Sequence, residues 1–277
     1  MRDSDRDAAR KRGARPLLAA TGVFLALLLI LLFAGLGTWQ VYRLQWKLDL
    51  IARVEARVHA APVAPPPAAD WAGITASSDE YRRLRLRGSY LYDLTTPVQA
   101  LTEEGSGYWL LTPLCTPDGQ IIIVNRGFIP SDLGAPTRYT AQRAGSAPCA
   151  AAGTPVTITG LLRISEPGGA FSRSNDPANN RWFVRDIAAI AAARGLPAAP
   201  VTAPFFVDAA ANQNPPDSPD RPLGGLTVVK FNNSHLVYAL TWYALALMVG
   251  GAWWWTTRAA SHGSRAEDDE RDDEHRE

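Results

Sequence analysis

Residues 230–255 read KFNNSHLVYALTWYALALMVGGAWWW. The part from 236 to 255 carries no formal charge and supplies the roughly 20 apolar residues that a helix needs to cross a bilayer. His235 stands immediately before this run. An imidazole, two aromatic rings and two alanines share one face of such a helix: His235, Tyr238, Ala239, Trp242 and Ala246. The stretch therefore predicts a transmembrane helix over 235–257 that begins at a histidine.

A second apolar run lies near the N-terminus. Residues 17–37 contain no formal charge, and residues 1–16 contain several arginines. The basic tail predicts that residues 1–16 stay in the cytoplasm. A cleaved signal peptide is the alternative, because Gly35, Leu36 and Gly37 form a small-residue pattern that a signal peptidase accepts. The length of the run and its helical continuation favour an uncleaved anchor.

The chain between the two apolar runs is long enough for one extramembrane domain. Of 277 residues, 47% are hydrophobic, and the net charge is +1. Beyond the N-terminal tail no basic run alternates with aromatic residues, so the sequence does not indicate nucleic-acid binding. Arg258 and Arg265 follow the second apolar run. We therefore predict that both termini are cytoplasmic and that the large domain lies on the exterior face.

These observations predict the order of the segments. They are a cytoplasmic basic tail (1–16), a transmembrane helix (17–37), a helical stalk (38–61), a proline-rich spacer (62–70), an extracytoplasmic β-rich domain (71–234), a transmembrane helix (235–257) and a cytoplasmic charged tail (258–277). The stalk follows from apolar residues that recur three and four positions apart after Thr38. The spacer follows from the run APVAPPPAAD, because proline interrupts a helix.

The domain after the spacer consists of short strand patterns. In YRRLRLRGSYL, at 81–91, Leu84 and Leu86 alternate with arginines, which is the period of a strand with one buried face. Further strand patterns lie at 96–101, 108–113, 121–125, 156–164, 182–184, 205–208 and 226–231, and residues 107–125 are typical of a hairpin. We predict an antiparallel β sandwich or barrel-like domain with one or two small helices.

One soluble helix is predicted at 187–194. Asp186 can accept hydrogen bonds from the first turn, and Gly195 followed by Pro197 ends the helix. The predicted fold class is therefore an α+β membrane protein, in which two transmembrane helices flank the β-rich domain.

Cys115 and Cys149 are the only cysteines in the sequence. A disulfide is permitted on the exterior face of a membrane. Two packed but unpaired thiols are equally compatible with the spacing. The sequence therefore leaves the pairing open.

The sequence offers little for catalysis. Outside the C-terminal tail the only histidines are His59 and His235. A glycine-rich phosphate loop, a nucleophile elbow and the HExxH and CxxC motifs are absent from the sequence. We therefore expect no enzymatic activity and no catalytic residue.

His235 carries the strongest functional signal. A neutral imidazole at a membrane edge can ligate haem iron, and aromatic side chains such as Tyr238 and Trp242 suit the walls of a haem site. Arg43, at the exterior end of the first helix, could pair with a haem propionate. An ordinary interfacial histidine is the alternative. Trp39, Gln40 and Arg43 likewise have an alternative role as interfacial anchors.

The chain resembles the Surfeit-locus-one family of cytochrome c oxidase assembly factors. The resemblance rests on segments in the family's order and spacing: 37–43 (GTWQVYR), 85–90, 107–113, 124–130, 180–186 and 232–242. Together they span nearly all of residues 37–247. The resemblance implies a multi-pass protein of the bacterial plasma membrane with a large extracytoplasmic domain.

The resemblance also implies a function in maturing the haem-copper oxidase. The expected activity is transient binding of haem a, received from haem a synthase, and assistance in its insertion into the oxidase core subunit. His235 matches a histidine implicated in haem a binding in bacterial relatives, and Trp39, Gln40 and Arg43 fall in the family's first motif. The expected partners are the core subunit, the synthase and membrane lipid. A cofactor-free membrane scaffold that stabilises an assembly intermediate is the alternative.

Overall fold

The computed structural model describes residues 3–133, 138–151, 153–166, 168, 173–227 and 233–274. The chain divides into two compact units. One comprises Met1–Ile51 with Phe231–Glu277, and the other comprises Ala52–Lys230. We refer to them as the helix-pair unit and the barrel unit.

Two long helices dominate the ends of the chain. Helix α1 spans Asp3–His59, and the last helix, α4, spans His235–Glu274. Their segments Ala20–His59 and His235–Ala259 are long and apolar enough to cross a membrane by length and composition. The division of these helices into cytoplasmic, membrane and stalk segments stays a prediction.

Among its described residues, the barrel unit contains six strands and two short α-helices. The strands are β1 (Arg83–Tyr90), β2 (Thr96–Thr102), β3 (Gly105–Cys115), β4 (Ile121–Pro130), β5 (Val156–Ile164) and β6 (Thr202–Ala209). The helices are α2 (Ala76–Asp79) and α3 (Ile187–Arg194). The predicted hairpin is confirmed, since Cys115 at the end of β3 pairs with Ile121 at the start of β4.

The strands close into a barrel-like sheet. Their order is β1-β5-β6-β4-β3-β2, and an additional pairing joins β1 to β3. That closure is made where Ser89 and Tyr90 pair with Cys115 and Leu114. The barrel-like alternative of the prediction is therefore the observed one, and β2 lies outside the closed ring as an edge strand.

One strand pair corrects the prediction of a purely antiparallel sheet. Strands β4 and β6 are parallel, whereas the other pairings between the six described strands are antiparallel. The reason lies in the connectivity. Strand β6 fills the space between β5 and β4 and runs antiparallel to β5, which leaves it parallel to β4.

Helix α3 packs on the sheet as its sequence predicts. The Asp186 side chain accepts a hydrogen bond from the Ala189 amide, and Gly195 ends the helix with a left-handed backbone at φ 67°. Ile187 and Ile190 are buried in a cluster with Trp182. The predicted helix at 187–194 is confirmed.

Two predicted strands differ from the structure. Residues 182–184 form no strand, and Trp182 makes only an isolated bridge to Val98. The side-chain oxygen of Asn175 accepts from the amides of Phe183 and Val184, so these amides are not available to a ladder. A strand was also predicted at 226–231. In the structure residues 226–227 are irregular, and the others lie outside the described residues.

The proline-rich segment is attached to the barrel rather than acting as a free spacer. The Val63 amide donates to Arg83 O at 3.0 Å, and the Arg85 amide donates to Val63 O at 2.8 Å. The Trp71 indole donates to Pro66 O at 2.9 Å. The two bonds of Val63 cover backbone groups at an edge of β1, and the Trp71 bond stabilises the segment itself. The segment was predicted as a spacer because only its composition is visible in the sequence.

The structure pairs the two cysteines. Cys115 on β3 and Cys149 form a disulfide with their Cα atoms 5.6 Å apart. Cys115 packs in an apolar cluster with Leu91 and Ile121. The bridge therefore ties the segment around 148–151 to the barrel.

Replacing both cysteines by alanine is expected to lower the free energy of unfolding by about 3 kcal/mol. The bridge joins residues separated by 34 positions, so its loss frees a long loop in the unfolded chain. Alanine keeps the buried position at Cys115 apolar. The measurement is urea unfolding of the full-length protein in detergent, followed by tryptophan fluorescence. Identical midpoints for the two proteins would contradict this expectation.

Candidate functional site

Helices α1 and α4 pack against each other in an antiparallel pair. From the start of α1 towards its end, the partners on α4 change from Trp253 to His235. The contacts are Gly22 with Trp253, Ile30 with Gly250, Phe33 with Trp242, Gly37 with Tyr243, and Gln40 with His235. The order shows that the predicted site residues of both helices lie at the same end of the pair.

Gly37 permits the close approach of the two helices. A Cβ atom at Gly37 would lie 2.9 Å from Cε1 of Tyr243. No side chain larger than hydrogen fits there unless the tyrosine moves. The Tyr243 hydroxyl is also within hydrogen-bond distance of the Thr38 hydroxyl, at 3.0 Å. The contact therefore fixes the register of the helices next to the site.

His235 is bonded across the helix pair to Gln40. The distance from His235 Nδ1 to Gln40 Oε1 is 2.8 Å. A carboxamide oxygen can only accept, so Nδ1 carries the proton in this arrangement and donates it. In the neutral imidazole the other ring nitrogen, Nε2, then keeps its lone pair. A neutral imidazole held by a second residue in this manner is the usual form of a metal-ligating histidine.

Trp242 packs within the helix pair. Its ring lies 5.7 Å from the ring of Phe33, with 25° between the ring planes. Such a stacked pair stabilises the contact between α1 and α4. Trp242 was predicted as a wall of a ligand site, and the structure gives it this packing partner.

Within the described part of the chain, no hydrogen bond, ion pair or ring contact joins the remaining predicted residues to His235. The Arg43 guanidinium lies over the Trp46 ring on its own helix, 4.4 Å from the ring centroid. Trp39 and Tyr238 are 56% and 52% exposed. Among the described residues, the structure therefore joins only Gln40 to His235 by a hydrogen bond, and it leaves the side chains of Trp39 and Tyr238 exposed.

Phe33, Thr38 and Tyr243 also belong to the site and were not predicted. Tyr243 follows Trp242 directly, so it lies at the border of the face that His235 defines. Gly37 and Thr38 stand in the predicted segment GTWQVYR. A small residue at the end of an apolar run was a usable signal for close helix packing. It could not identify the residue on the opposite helix.

The fold and the site together define a class of protein. Its members have an apolar helix at each end, a barrel-like sheet domain between them in the sequence, and a histidine bonded across the helix pair. This chain belongs to the SURF1 family, whose sequence model matches residues 27–247. The resemblance found from short segments is thereby confirmed.

Characterised relatives support the assignment over most of the chain. It is 37% identical to Surfeit locus protein 1 of Homo sapiens over 230 residues, covering 76% of this chain and 69% of that protein. It is 36% identical to Surfeit locus protein 1 of Rattus norvegicus over 228 residues, covering 76% and 67%. It is 34% identical to the SURF1-like protein of Monosiga brevicollis over 253 residues, covering 86% of each. Family membership is consistent with the predicted class of cytochrome c oxidase assembly factor.

Proposed function

We propose that this protein assists assembly of haem-copper cytochrome c oxidase by binding haem a transiently at its helix pair. It would receive the haem from haem a synthase and assist insertion into the oxidase core subunit. The observation that carries this proposal is the 2.8 Å hydrogen bond between His235 and Gln40. That bond fixes the imidazole by one nitrogen and leaves the other free to act as an axial ligand.

The residues around His235 fit a haem. The macrocycle is flat and apolar, and its iron accepts an axial imidazole. The exposed rings of Trp39, which adjoins Gln40 in the sequence, and of Tyr238, one helical turn after His235, would offer the macrocycle an apolar surface. Arg43 would pair with a propionate if its guanidinium left the Trp46 ring. Trp242, packed on Phe33, would support the helix pair rather than contact the ligand.

We place the protein in the bacterial plasma membrane, with both termini in the cytoplasm and the barrel unit on the exterior face. The disulfide between Cys115 and Cys149 supports this placement, because structural disulfides persist in oxidising compartments and are rare in the cytosol. The two apolar helices would contact lipid. The protein acts as a carrier in this proposal and not as an enzyme.

Replacing His235 by alanine is expected to lower the haem content of the purified protein about tenfold or more. The full-length protein would be purified in detergent from cells that make haem a, and its absorption spectrum recorded. Replacing Gln40 by leucine removes the acceptor but keeps the ligand, so haem affinity should fall by about tenfold while some haem is retained.

His59→Ala is the matched control for this experiment. His59 lies at the exposed end of α1, where Glu55 of its own helix is the only polar partner of its ring among the described residues. This variant should keep the haem content of the unmodified protein. Equal haem content in the His235→Ala and His59→Ala variants would refute the axial-ligand assignment.

The cofactor-free scaffold is the second candidate. The exposed aromatic side chains of the helix pair, including Tyr42, could contact a partner helix as well as a haem. A scaffold should co-purify with the oxidase core subunit from cells that lack haem a. It should also do so after His235→Ala. Loss of co-purification in either case would favour the carrier.

A further inference from the structure

Strand β1 presents a row of three arginines on the outer face of the barrel. Leu84 and Leu86 are buried in the core, whereas Arg83 is half-buried and Arg85 and Arg87 are exposed. Alternate residues of a strand point to the same face, so the three arginine side chains leave β1 on one side at intervals of about 6.7 Å. We call Arg83, Arg85 and Arg87 the arginine row.

The arginine row has no acidic partner in the described part of the barrel unit. Among the described residues, no hydrogen bond, ion pair or ring contact involves these three side chains. The residues opposite them on β5 are Leu161, Thr159 and Thr157. On the other side of β1 lies the segment around Val63, and residues 61–69 carry no charge. Uncharged residues therefore flank the row on both sides.

The only acidic residue in the six described strands is Asp208. It lies on β6 opposite Leu161, which is one strand beyond the arginine row. Asp208 is 4% exposed, and it accepts from Arg163 at 3.0 Å and from Arg185 at 3.4 Å. Its charge is therefore already balanced and does not neutralise the arginine row.

The arginine row does not stabilise the sheet by its charges. Opposite charges on paired strands stabilise a sheet, whereas like charges close together oppose folding. A carboxylate at position 157 or 159 would provide a favourable pair, but threonines stand at both positions. Three like charges without a counter-charge are a local conflict with the fold. Such conflicts are typical of functional surfaces.

The spacing of the row fits an extended acidic chain. A guanidinium group binds a carboxylate by two parallel hydrogen bonds. Alternate side chains of an extended chain are also about 6.7 Å apart, so an acidic residue at every second position would meet each arginine in turn. Around Arg83 and Arg85 both edges of β1 are occupied, by β5 and by Val63. The chain would therefore lie across the face of β1 and would not join the sheet.

We propose that the arginine row binds an extended segment of another protein that carries aspartate or glutamate at alternate positions. Each guanidinium group pairs with one carboxylate of the segment. Thr157 and Thr159 lie beside the row and offer hydroxyl groups to the same segment. This inference does not depend on haem binding, because the row belongs to the barrel unit and His235 belongs to the helix-pair unit.

An anionic membrane surface is a poorer occupant. Segments that bind a membrane surface combine basic residues with exposed tryptophan, phenylalanine or leucine. No large apolar side chain of β1 or β5 is exposed. Lipid headgroups also move independently of one another, so a regular spacing gives them no advantage over scattered arginines. The absence of an apolar anchor in these strands and the regular spacing therefore favour a protein segment.

The probe is a fluorescent peptide of about six residues in which glutamate alternates with threonine. Its binding to the full-length protein in a non-ionic detergent at low ionic strength would be measured by fluorescence anisotropy. One control peptide has glutamine in place of glutamate. Another has the same composition but places its glutamates consecutively. We expect the alternating peptide to bind about tenfold more tightly than the glutamine peptide and about threefold more tightly than the consecutive one.

Variants of the protein make the test specific. Arg85→Gln with Arg87→Gln should weaken binding of the alternating peptide about tenfold. Arg143→Gln with Arg181→Gln is the matched control, because both arginines are exposed and the change in net charge is the same. This control should retain binding. Arg85→Glu with Arg87→Glu should instead bind a peptide in which lysine alternates with threonine. Unchanged unfolding midpoints would show that these variants are folded.

Several results would overturn the proposal. Equal binding of the glutamate and glutamine peptides would remove the charge argument, and equal binding of the alternating and consecutive peptides would remove the extended arrangement. Equal losses in the two pairs of glutamine variants would assign binding to net charge and not to the arginine row.

A separate measurement tests the membrane as the occupant. The full-length protein would be placed in vesicles of phosphatidylcholine, with or without phosphatidylglycerol, and treated with phenylglyoxal, a neutral reagent that modifies arginine. We expect Arg85 and Arg87 to be modified equally in both vesicles. Protection of these two residues only in vesicles that contain phosphatidylglycerol would identify the anionic membrane surface as the occupant instead.

Discussion

Replacing Arg194 by methionine is expected to lower the free energy of unfolding by about 3–5 kcal/mol. Arg194 ends helix α3, and 1% of the residue is exposed. Its guanidinium donates to five neutral oxygens: Thr96 Oγ1, Thr95 O, Asn180 Oδ1, Thr140 O and Gln142 O. Methionine matches the aliphatic part of the side chain but leaves the buried Thr95 carbonyl and Thr96 hydroxyl without this donor, whereas Asn180 Oδ1 keeps the Trp182 indole as a donor.

Burial is the reason that substitution of Arg194 is expected to destabilise the protein. It lowers the pKa of Arg194 to about 10, so the buried charge itself is costly. The hydrogen bonds offset that cost by joining α3 to β2 and to the segment around 140–142. Lysine in place of Arg194 keeps the charge but cannot span the same acceptors, so Arg194→Lys should also destabilise the protein.

Arg143→Met is the matched control. Arg143 is exposed and donates to the carbonyl oxygens of Ala192 and Ala193 at the end of the same helix. Its replacement should change the free energy of unfolding by no more than about 0.5 kcal/mol. Urea unfolding of the full-length variants in detergent measures both values. A similar loss for Arg143→Met and Arg194→Met would show that the buried network contributes little.

Gly127→Ala should be the second most damaging substitution, with a loss of about 3 kcal/mol. Gly127 has φ 132°, a conformation that side chains disfavour. A Cβ atom there would lie 2.4 Å from the carbonyl oxygen of Leu223. The neighbouring Phe128 exchanges two hydrogen bonds with Leu223, each 2.9 Å long. The segment at Leu223 cannot retreat without breaking them.

Gly119→Ala separates the two causes of this loss. Gly119 also has a left-handed backbone, at φ 77°, but a Cβ atom there meets nothing within 4 Å. The expected loss is therefore only about 1 kcal/mol, from backbone strain alone. The same unfolding measurement applies. If the two alanine variants lost equal stability, the close approach at Leu223 would not be the cause.

Local sequence patterns predicted the secondary structure closely where one physical factor dominates. The strand over Val156–Ile164 and the helix over Ile187–Arg194 were predicted at their observed bounds. Alternation and capping are properties of neighbouring residues. Strand β4 was predicted to stop at Asn125 but continues to Pro130. It continues because distant partners satisfy its polar residues: Asp208 bonds Asn125, and Asn214 bonds Arg126.

The candidate site likewise combines features that neighbouring residues predict with features that depend on distant partners. An apolar run and a histidine at its start indicated α4 and His235, since both features lie within one segment. The bond to Gln40 joins residues 195 positions apart, and the packing of Trp242 on Phe33 likewise needs both helices. No local pattern contains this information. Gln40 was named only as part of a motif, and its partner became visible in the structure.

The sequence by itself determined the two apolar helices, most strands, the cap of α3 and the family resemblance, because these depend on the order of nearby residues. Only the tertiary structure decided the closure of the barrel, the parallel β4–β6 pair, the Cys115–Cys149 bridge and the His235–Gln40 bond. Each of these joins segments that are distant in the chain. Their pairing depends on packing and hydrogen bonding in the folded molecule, which residue spacing does not encode.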